Sequence, residues 1–450
     1  MATTYLTRTS GTPTNALKWT FSAWVKNSQV GTGTFLLDFN TDTNNRSQIG
    51  FESNGCLTVY EKVSGSTSQL FQTNALYRDL SGWYNFVISC DRTLGTAADR
   101  TKIYVNGVRE TSFSASDNPA QNTNGIINTA VNTLIGKYSQ SGVYFNGLLS
   151  HVHFVDGTAY PASTFGSTDS TTGEWEINTS PTVTYGNNGF FILKNDNVIN
   201  DQSGNANNFT LGGGTLTKTE DCPSNVFATM NRASPTTVSL TNMANGNLYN
   251  GDQSPNYWQG IPGTLATSSG KIYWEFKIEQ IWGTTSQNSQ RHGIADIGAA
   301  VDNNTSDAYD IQWTSAAYGI GWCNTSGVRN SGSVTGTSDY STYVVNDILM
   351  FAMDLDNLKL YLGKNGTWQN SGNPTSGASG TGAFTIPTAG LWAPYSETKY
   401  GSDKVSWNCG NGYFRTVAIS PAGSPASTPG IFQYQIPTGY QPISTKGINV

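Results

Sequence analysis

Residues 271–279 read KIYWEFKIE, and their alternation decides the fold class. Every second residue is apolar, so one face of an extended strand carries Ile272, Trp274, Phe276 and Ile278. The other face carries Lys271, Tyr273, Glu275, Lys277 and Glu279, and we expect that face to meet solvent. A strand with one apolar and one polar face is typical of an antiparallel sheet that packs against a second sheet.

Similar segments lie on both sides of this strand. Residues 347–362 (DILMFAMDLDNLKLYL) divide at Asp356-Asn357 into two apolar strands, and residues 364–366 (KNG) turn the chain again. Near the N-terminus, residues 19–26 (WTFSAWVK) and 83–90 (WYNFVISC) have the aromatic and β-branched density of buried strands. Asn106-Gly107 accepts positive φ at both centres of a tight hairpin. The pattern predicts an all-β protein.

Composition supports this interpretation and excludes several function classes. Charged residues make up 12% of the 450 residues, roughly half the usual share, while 12 Trp, 22 Tyr and 19 Phe supply ample surface to bury. A net charge of -6 offers no basic stripe for phosphates, so nucleic acid is not an expected partner. The N-terminal sequence lacks the apolar region of a signal peptide, and no apolar run is long enough for membrane insertion.

The second half resembles a SPRY domain. Five motifs follow one another in the order of that family: YWEFKIE, HGIADIGA, YGIGW, NDILMFAMDLDNLKLYLGKNG and VSWNCG. They occupy residues 273–279, 292–299, 318–322, 346–366 and 405–410. The resemblance implies a jelly-roll-like β-sandwich.

The first half resembles the laminin-G-like branch of the concanavalin A-like sandwiches. The segments that carry this resemblance are TFSAWVK, GWYNFVISCD, KIYVNGV, LIGK and FNGLLSHVHFVDG. Together the two resemblances predict two tandem jelly-roll-like β-sandwiches, with a laminin-G-like sandwich at 1–212, a connector at 213–240, a SPRY-like sandwich at 241–430 and a closing segment at 431–450. The apolar residues within DCPSNVFATMN (221–231) indicate that part of the connector packs against a sandwich.

Three segments resemble virion proteins of marine tailed phages: DCPSNVFATMN, FVDGTAYPASTFG and the closing IFQYQIPTGYQPISTKGI. The resemblance implies a virion location for a protein that folds in the host cytoplasm. The five cysteines, odd in number and without a CxxC pair, fit folding in a reducing compartment. Expected partners are other virion proteins, further copies of the chain in a homotrimer, and a glycan or protein of the host cell surface.

Aromatic residues in polar loops are the candidate binding residues. Flat rings give contact area at low entropic cost, and neighbouring amides and hydroxyls give directional hydrogen bonds. The candidates are Tyr257, Trp258, Trp282, Trp313 and Trp368. The alternative is that each ring closes one end of its sandwich. Weaker adsorption to host cells, with folding intact, is expected for Trp282→Ala or Trp313→Ala.

Metal binding has two weaker signals. Asp38, Asn40 and Asp42 alternate along one stretch and Asp156 could join them, so a calcium ion held by carboxylate and carbonyl oxygens is one interpretation. An ordinary Asx-rich turn is the other. His151-Val152-His153 places two imidazoles two residues apart, which predicts a polar outer face rather than a metal site. No other cofactor is expected.

Catalysis has little support in the sequence. Glycoside hydrolysis needs two carboxyl groups on one face, and the nearest candidates are Glu174-Trp175-Glu176, outside any evident strand, and Asp354-Leu355-Asp356, at a hairpin. We therefore expect no enzyme. The leading hypothesis is a surface-exposed fibre, spike or appendage subunit that binds host glycans or proteins. The alternatives are a capsid decoration or head-fibre protein with a mechanical role, and a polysaccharide-degrading enzyme.

Overall fold

The computed structural model describes residues 3–195, 197–232, 243–250, 258–283, 289–298, 319–325, 327–330, 333–335, 340–387, 389–420 and 430–448. Regular structure in these ranges consists of β-strands and three short 3₁₀ turns, at Ala97–Asp99, Ala162–Thr164 and Gly377–Ser379. The predicted all-β fold class is confirmed. None of the helical turns in this part of the chain is long and apolar enough to cross a membrane.

The chain folds as two compact units. Unit 1 contains Met1–Lys218 and Cys222–Ser224, and unit 2 contains Thr219–Asp221 and Asn225–Val450. Of the predicted connector, Phe227 and Met230 are fully buried in unit 2, where Met230 belongs to the main core.

The strands of unit 1 follow one another at short intervals. They are β1 (Tyr5–Thr9), β2 (Lys18–Asn27), β3 (Thr34–Asn40), β4 (Arg46–Phe51), β5 (Cys56–Val63), β6 (Ser66–Leu76), β7 (Tyr84–Asp91), β8 (Thr101–Val105), β9 (Val108–Arg109), β10 (Phe113–Asp117), β11 (Asn132–Ile135), β12 (Gly147–Asp156), β13 (Gly166–Thr168), β14 (Trp175–Ile177), β15 (Phe190–Ile192) and β16 (Thr210–Gly213).

Two antiparallel sheets of unit 1 form a sandwich. In the described residues one sheet has the order β10-β6-β5-β4-β3-β11-β1-β16 and the other β15-β12-β2-β7-β8-β9. Alternate residues of both sheets point inward and build one core, which includes Leu37, Ile49 and Val59 from the first sheet and Phe21 and Ile88 from the second. The residues between them in the first sheet therefore lie on its outer face.

Unit 2 has a comparable series of strands. They are β17 (Met243–Ala244), β18 (Tyr249–Asn250), β19 (Gln259–Pro262), β20 (Lys271–Gln280), β21 (Gln290–Asp296), β22 (Gly319–Cys323), β23 (Val328–Asn330), β24 (Ser333–Thr335), β25 (Ile348–Asp354), β26 (Lys359–Lys364), β27 (Thr367–Trp368), β28 (Phe384–Thr385), β29 (Trp392–Thr398), β30 (Lys404–Asn408), β31 (Tyr413–Phe414), β32 (Val417–Ala418) and β33 (Gln441–Pro442).

Unit 2 is also built on two sheets. Across the described ranges the first has the order β17-β18-β30-β20-β25-β26-β27, with β28 beside β26 and β33 beside β20, and the second has the order β19-β29-β21-β22-β23-β24. The apolar face of β20 enters the core as predicted, because Ile272, Trp274, Phe276 and Ile278 are all fully or almost fully buried there. The split at Asp356-Asn357 and the turn at Asn365-Gly366 are likewise observed.

Candidate functional site

The opposite face of β20 is covered by the chain itself. Residues 431–440, here called the C-terminal segment, cross it, and the Phe432 ring lies 5.0 Å from the Tyr273 ring, edge to face. Tyr273 and Glu275 are both 0% exposed, so the expectation that this face meets solvent is wrong at its centre. Alternation identifies the residues that share a face, but the cover comes from a segment about 160 residues further along the chain.

Glu275 ties the C-terminal segment to the sheet. Its carboxylate accepts hydrogen bonds from the backbone N–H of Gln433 (2.9 Å) and of Tyr434 (2.8 Å). The hydroxyl of Tyr273 (2.9 Å) and the side-chain amide of Asn408 (3.3 Å) also donate to it. Burial is the largest influence and raises the pKa of Glu275 to about 7, although all four hydrogen bonds act in the other direction.

A groove of about 580 Å³ opens where the C-terminal segment meets the β26–β27 hairpin. The side chains of Trp368 and Tyr434 line it, both half-buried, and Met350 lies among its lining residues. Polar residues complete the lining: Asn373, Thr375, Gln435 and Thr438. The loop that carries Asn373 is held in place because the buried Tyr440 hydroxyl donates to the carbonyl of Pro374 (3.1 Å).

The tight turn at Asn365-Gly366 sets the position of one wall. Both residues have positive φ, 50° and 85°, as the sequence predicts for an Asn-Gly turn. A Cβ atom on Gly366 would lie 3.1 Å from the Tyr434 ring, so glycine lets the ring rest directly against the turn. On the other wall, Trp368 meets the Tyr273 ring edge to face at 6.4 Å.

The lining determines which ligands the groove suits. Its side chains are aromatic, aliphatic, amide or hydroxyl, and its lining residues include no Asp, Glu, Lys or Arg. Sugar rings have apolar C–H faces that pack on aromatic rings and hydroxyls that pair with amides, so the arrangement fits an uncharged saccharide. Tyr434 was not a sequence candidate. The sequence signal for Tyr434 is the spacing of the aromatic residues within YQIPTGY (434–440), in the predicted closing segment.

The predicted binding aromatics have different environments. Trp368 lies in the groove, whereas Trp258 is only 5% exposed, with the Arg291 guanidinium 3.6 Å from the centre of its ring. The expectation of a ligand-accessible ring is therefore wrong for Trp258. Trp282 is 39% exposed and stacks on Tyr400 at 3.9 Å. Tyr257 and Trp313 lie outside the described residues.

The calcium candidates have protein partners of their own. Asp38 is buried and accepts a hydrogen bond from the Ser139 N–H at 2.8 Å, with the Asn40 amide 3.5 Å away. Burial raises the pKa of Asp38 to about 6. Asp42 closes its own turn by accepting from the N–H groups of the second and third residues after it, at 2.7 and 2.9 Å.

The fourth calcium candidate serves another part of the same unit. The buried Asp156 carboxylate accepts from the N–H groups of Thr14 (2.6 Å) and Asn15 (3.1 Å) and from the Asn128 amide (2.7 Å). In the described ranges no group of three or more His, Cys, Asp or Glu residues is placed to hold a metal ion. Calcium binding stays a prediction.

The histidine pair does not form a polar outer face. His153 is 2% exposed and stacks on the Phe191 ring at 3.9 Å, and one ring nitrogen lies 2.8 Å from the Tyr185 hydroxyl. His151 occupies an irregularity in the pairing of β12 with β2 and has a positive φ of 49°. Burial lowers the pKa of His151 to about 4. His153 therefore packs against aromatic rings where the sequence predicts contact with solvent.

The candidate catalytic carboxylates are not among the lining residues of the groove. Trp175 and Glu176 belong to β14, which pairs with β13, so the expectation that this stretch is not a strand is wrong. Glu174 and Glu176 are exposed. Asp354 is buried at the β25–β26 hairpin and forms an ion pair with Lys271 at 3.2 Å.

Comparison with known proteins finds a fold superfamily that the first part of the chain is similar to. Residues 2–163 match the laminin-G-type model of the concanavalin A-like lectin/glucanases superfamily. The match supports the laminin-G-like sandwich predicted for this part of the chain. No curated protein matches the sequence.

Solved structures give fold-level likenesses of limited extent. The SPRY domain of human HERC1 is 16% identical, with a TM-score of 0.27, over 35% of this chain and 85% of that one. A heptameric SAP-like pentraxin from Limulus polyphemus is 17% identical, with a TM-score of 0.28, over 41% of this chain and 87% of that one. Domain 4 of the arabinanase AbnA from Geobacillus stearothermophilus, in complex with arabinotriose, is 18% identical, with a TM-score of 0.25, over 32% and 64%.

Proposed function

We propose that this protein binds carbohydrate without transforming it, and that the groove of unit 2 holds an uncharged sugar ring between Trp368 and Tyr434. The observation that carries the proposal is the lining itself: two half-buried aromatic rings line the groove together with two amide and two hydroxyl side chains. The lectin/glucanase-like fold of the first part of the chain is consistent with this class of function. No carboxyl pair belongs to the groove lining, so binding rather than hydrolysis is the activity it supports.

Binding to a panel of neutral oligosaccharides, measured by calorimetry, tests the groove. Trp368→Ala removes one wall and is expected to weaken the bound member of the panel about tenfold, because an aromatic stacking partner is lost. Thr438→Trp fills the groove from an exposed position and should have the same effect without touching the Tyr273 contact.

Trp282→Ala is the matched control, since Trp282 is an exposed Trp outside the groove lining. The sequence alone predicts a binding role for Trp282, but the groove does not include this residue, so the variant should leave this binding unchanged. Loss of binding in Trp282→Ala alone would move the site to that residue, and full binding by both groove variants would overturn the proposal.

We further propose that the chain acts on the surface of a tailed-phage particle and attaches it to host glycans. The support is the resemblance of three sequence segments to marine phage virion proteins. Repeated copies on one particle would multiply a weak groove affinity by orders of magnitude. Electron microscopy of particles that carry a gold-labelled chain tests the location: label on fibres or spikes is expected, and unlabelled particles would contradict it.

A further inference from the structure

A second binding surface lies on the outer face of the larger sheet of unit 1. We infer that this surface binds an acidic polysaccharide. It is distinct from the neutral groove of unit 2 and goes beyond the proposed function. We call it the tyrosine-cation face; its members are Tyr5, Arg46, Tyr60, Lys62, Lys137, Tyr138 and Tyr144, all half-buried.

Two cationic residues lie directly opposite each other in this sheet. The register of β4 and β5 pairs Arg46 with Lys62, and residues paired in this way share a face with their Cβ atoms about 5 Å apart. Like charges in such a pair lower stability. A protein with a net charge of -6 therefore keeps an unfavourable pair of cations on one face of its sheet, and an anionic ligand would turn that repulsion into attraction.

Two tyrosine rings contact one of these cations, Arg46. The Arg46 guanidinium lies 5.8 Å from the Tyr60 ring and 6.0 Å from the Tyr138 ring. Such contacts favour the charged group and restrict its motion. Because the guanidinium is planar and has several donors in a fixed fork, it suits the two oxygens of a carboxylate or sulfate group.

A hairpin adds a third cation beside two further rings. Lys137 and Tyr144 pair across this hairpin, and the Lys137 ammonium lies 4.4 Å from the Tyr5 ring and 5.6 Å from the Tyr144 ring. The neighbouring residue Tyr138 is the one that meets Arg46. The hairpin therefore links the two cation clusters into one continuous series of rings and charges.

Asp38 is an acid that lies near Arg46. Asp38 interacts with the charge of Arg46, but it is fully buried and accepts the Ser139 N–H. Its carboxylate thus helps to support the hairpin. In the described part of the chain, no carboxylate lies within ion-pair distance of Lys62 or Lys137.

The balance of rings to charges favours a glycan over a nucleic acid. Four tyrosines accompany three cations, and tyrosine rings pack against sugar faces while their hydroxyls reach sugar hydroxyls. Nucleic acid would require more neutralising groups along its closely spaced phosphates. A polysaccharide with one carboxylate or sulfate on each residue or on alternate residues offers sugar faces to the rings and anionic groups to the cations.

Binding of polygalacturonate, with dextran as the neutral polymer, tests the inference in the full chain. Wild type should bind polygalacturonate, release it as salt is raised, and bind dextran far less well at this face. Lys62→Gln, a change at a half-buried position, should weaken binding about threefold to fivefold, and Lys62→Gln with Lys137→Gln should weaken it further. Lys102→Gln, on the other sheet of the same unit, is the matched control and should have no effect.

Equal affinity of the wild type and the double variant would overturn the inference, as would tighter binding of a single-stranded oligonucleotide of equal charge. Arg46→Gln provides a further variant whose fold can be checked separately by circular dichroism. Trp368→Ala keeps the tyrosine-cation face intact and should bind polygalacturonate normally. The experiment therefore distinguishes a wrong proposal for the neutral groove from a wrong inference about the tyrosine-cation face.

Discussion

The outer faces of the two large sheets differ in what meets them. In unit 1 the outer residues of β4 and β5, Arg46, Tyr60 and Lys62, are half-buried and reach solvent. In unit 2 the outer residues of β20, Tyr273 and Glu275, are fully buried beneath the C-terminal segment. Both faces carry polar side chains in alternation with apolar core residues. Alternation therefore identifies the residues that share a face. A later segment of the chain decides whether that face stays at the surface or becomes part of a second core, as Tyr273 does with Phe432 and Tyr440.

Covering a polar face requires compensation for the charge that is removed from water. In unit 2 this comes from four hydrogen bonds to Glu275 and from the burial of Phe432, Ile436 and Tyr440. Each large apolar side chain contributes roughly 1.5–3 kcal/mol when it is removed from water. The open face of unit 1 needs no such compensation and keeps its cations available.

The largest expected effect comes from removing the cover. Phe432→Ala deletes a fully buried ring at the centre of the second core and should lower the free energy of unfolding by about 3–5 kcal/mol. Tyr60→Ala, on the open face of unit 1, should cost only about 1 kcal/mol, because it loses one partly exposed ring contact with Arg46. Urea denaturation followed by tryptophan fluorescence measures both. Equal losses would show that the two faces are not energetically different.

The second largest effect is a pH dependence of stability that comes from the buried Glu275. Glu275 is protonated in the folded protein up to about pH 7, but its ordinary pKa is 4.5, so folding takes up a proton between these values. The contribution of this proton to the free energy of unfolding is complete below pH 4.5 and is lost as the pH rises through 7. The free energy of unfolding falls by roughly 3 kcal/mol over this range. Glu275→Gln should remove this dependence from urea midpoints measured between pH 4.5 and 8.

Glu279→Gln is the matched control for this pH series. Glu279 lies on the same strand but is partly exposed, so the variant should keep the slope of the wild type. A Glu275→Gln protein with an unchanged slope would assign the pH dependence to another group.

The smallest expected effect on stability comes from a charge change at Lys62 in unit 1. Lys62→Glu replaces the opposed cations by an opposite-charge cross-strand pair with Arg46 and should raise stability by about 0.5 kcal/mol, while polygalacturonate binding falls. Lys102→Glu should instead lose its ion pair with Asp99 and lower stability slightly. A Lys62→Glu protein that is less stable than wild type would contradict the view that the cation pair is kept for a ligand.

Local pattern predicted the strands well because strand formation here depends on nearest neighbours. The apolar face of β20, the hairpin at Asp356-Asn357 and the turn at Asn365-Gly366 were all readable from adjacent residues. Trp368 was also chosen from its local setting, a ring among Gly, Asn and Ser. In the folded chain Trp368 lines the groove together with Tyr434, which lies 66 residues further along the chain, beyond any local pattern.

Predictions of exposure failed where distant segments pack. Trp258 was expected to be open to ligand, but the Arg291 side chain lies over its ring. His153 was expected on a polar face, but Phe191 and Tyr185 cover it. In each case the covering residue comes from another strand or loop, and its position depends on sheet register and not on the residues that flank the candidate in sequence.

The amino-acid sequence alone determined the β-class, the alternating faces and the supply of aromatic and neutral polar side chains, because these follow from side-chain geometry at a period of two. Only the tertiary structure decided that one polar face became buried under the C-terminal segment, that Trp368 and Tyr434 enclose a groove, and that Arg46 and Lys62 stand opposite each other. Register and long-range cover depend on the free energy of the whole packed unit, and no short stretch of sequence contains that information.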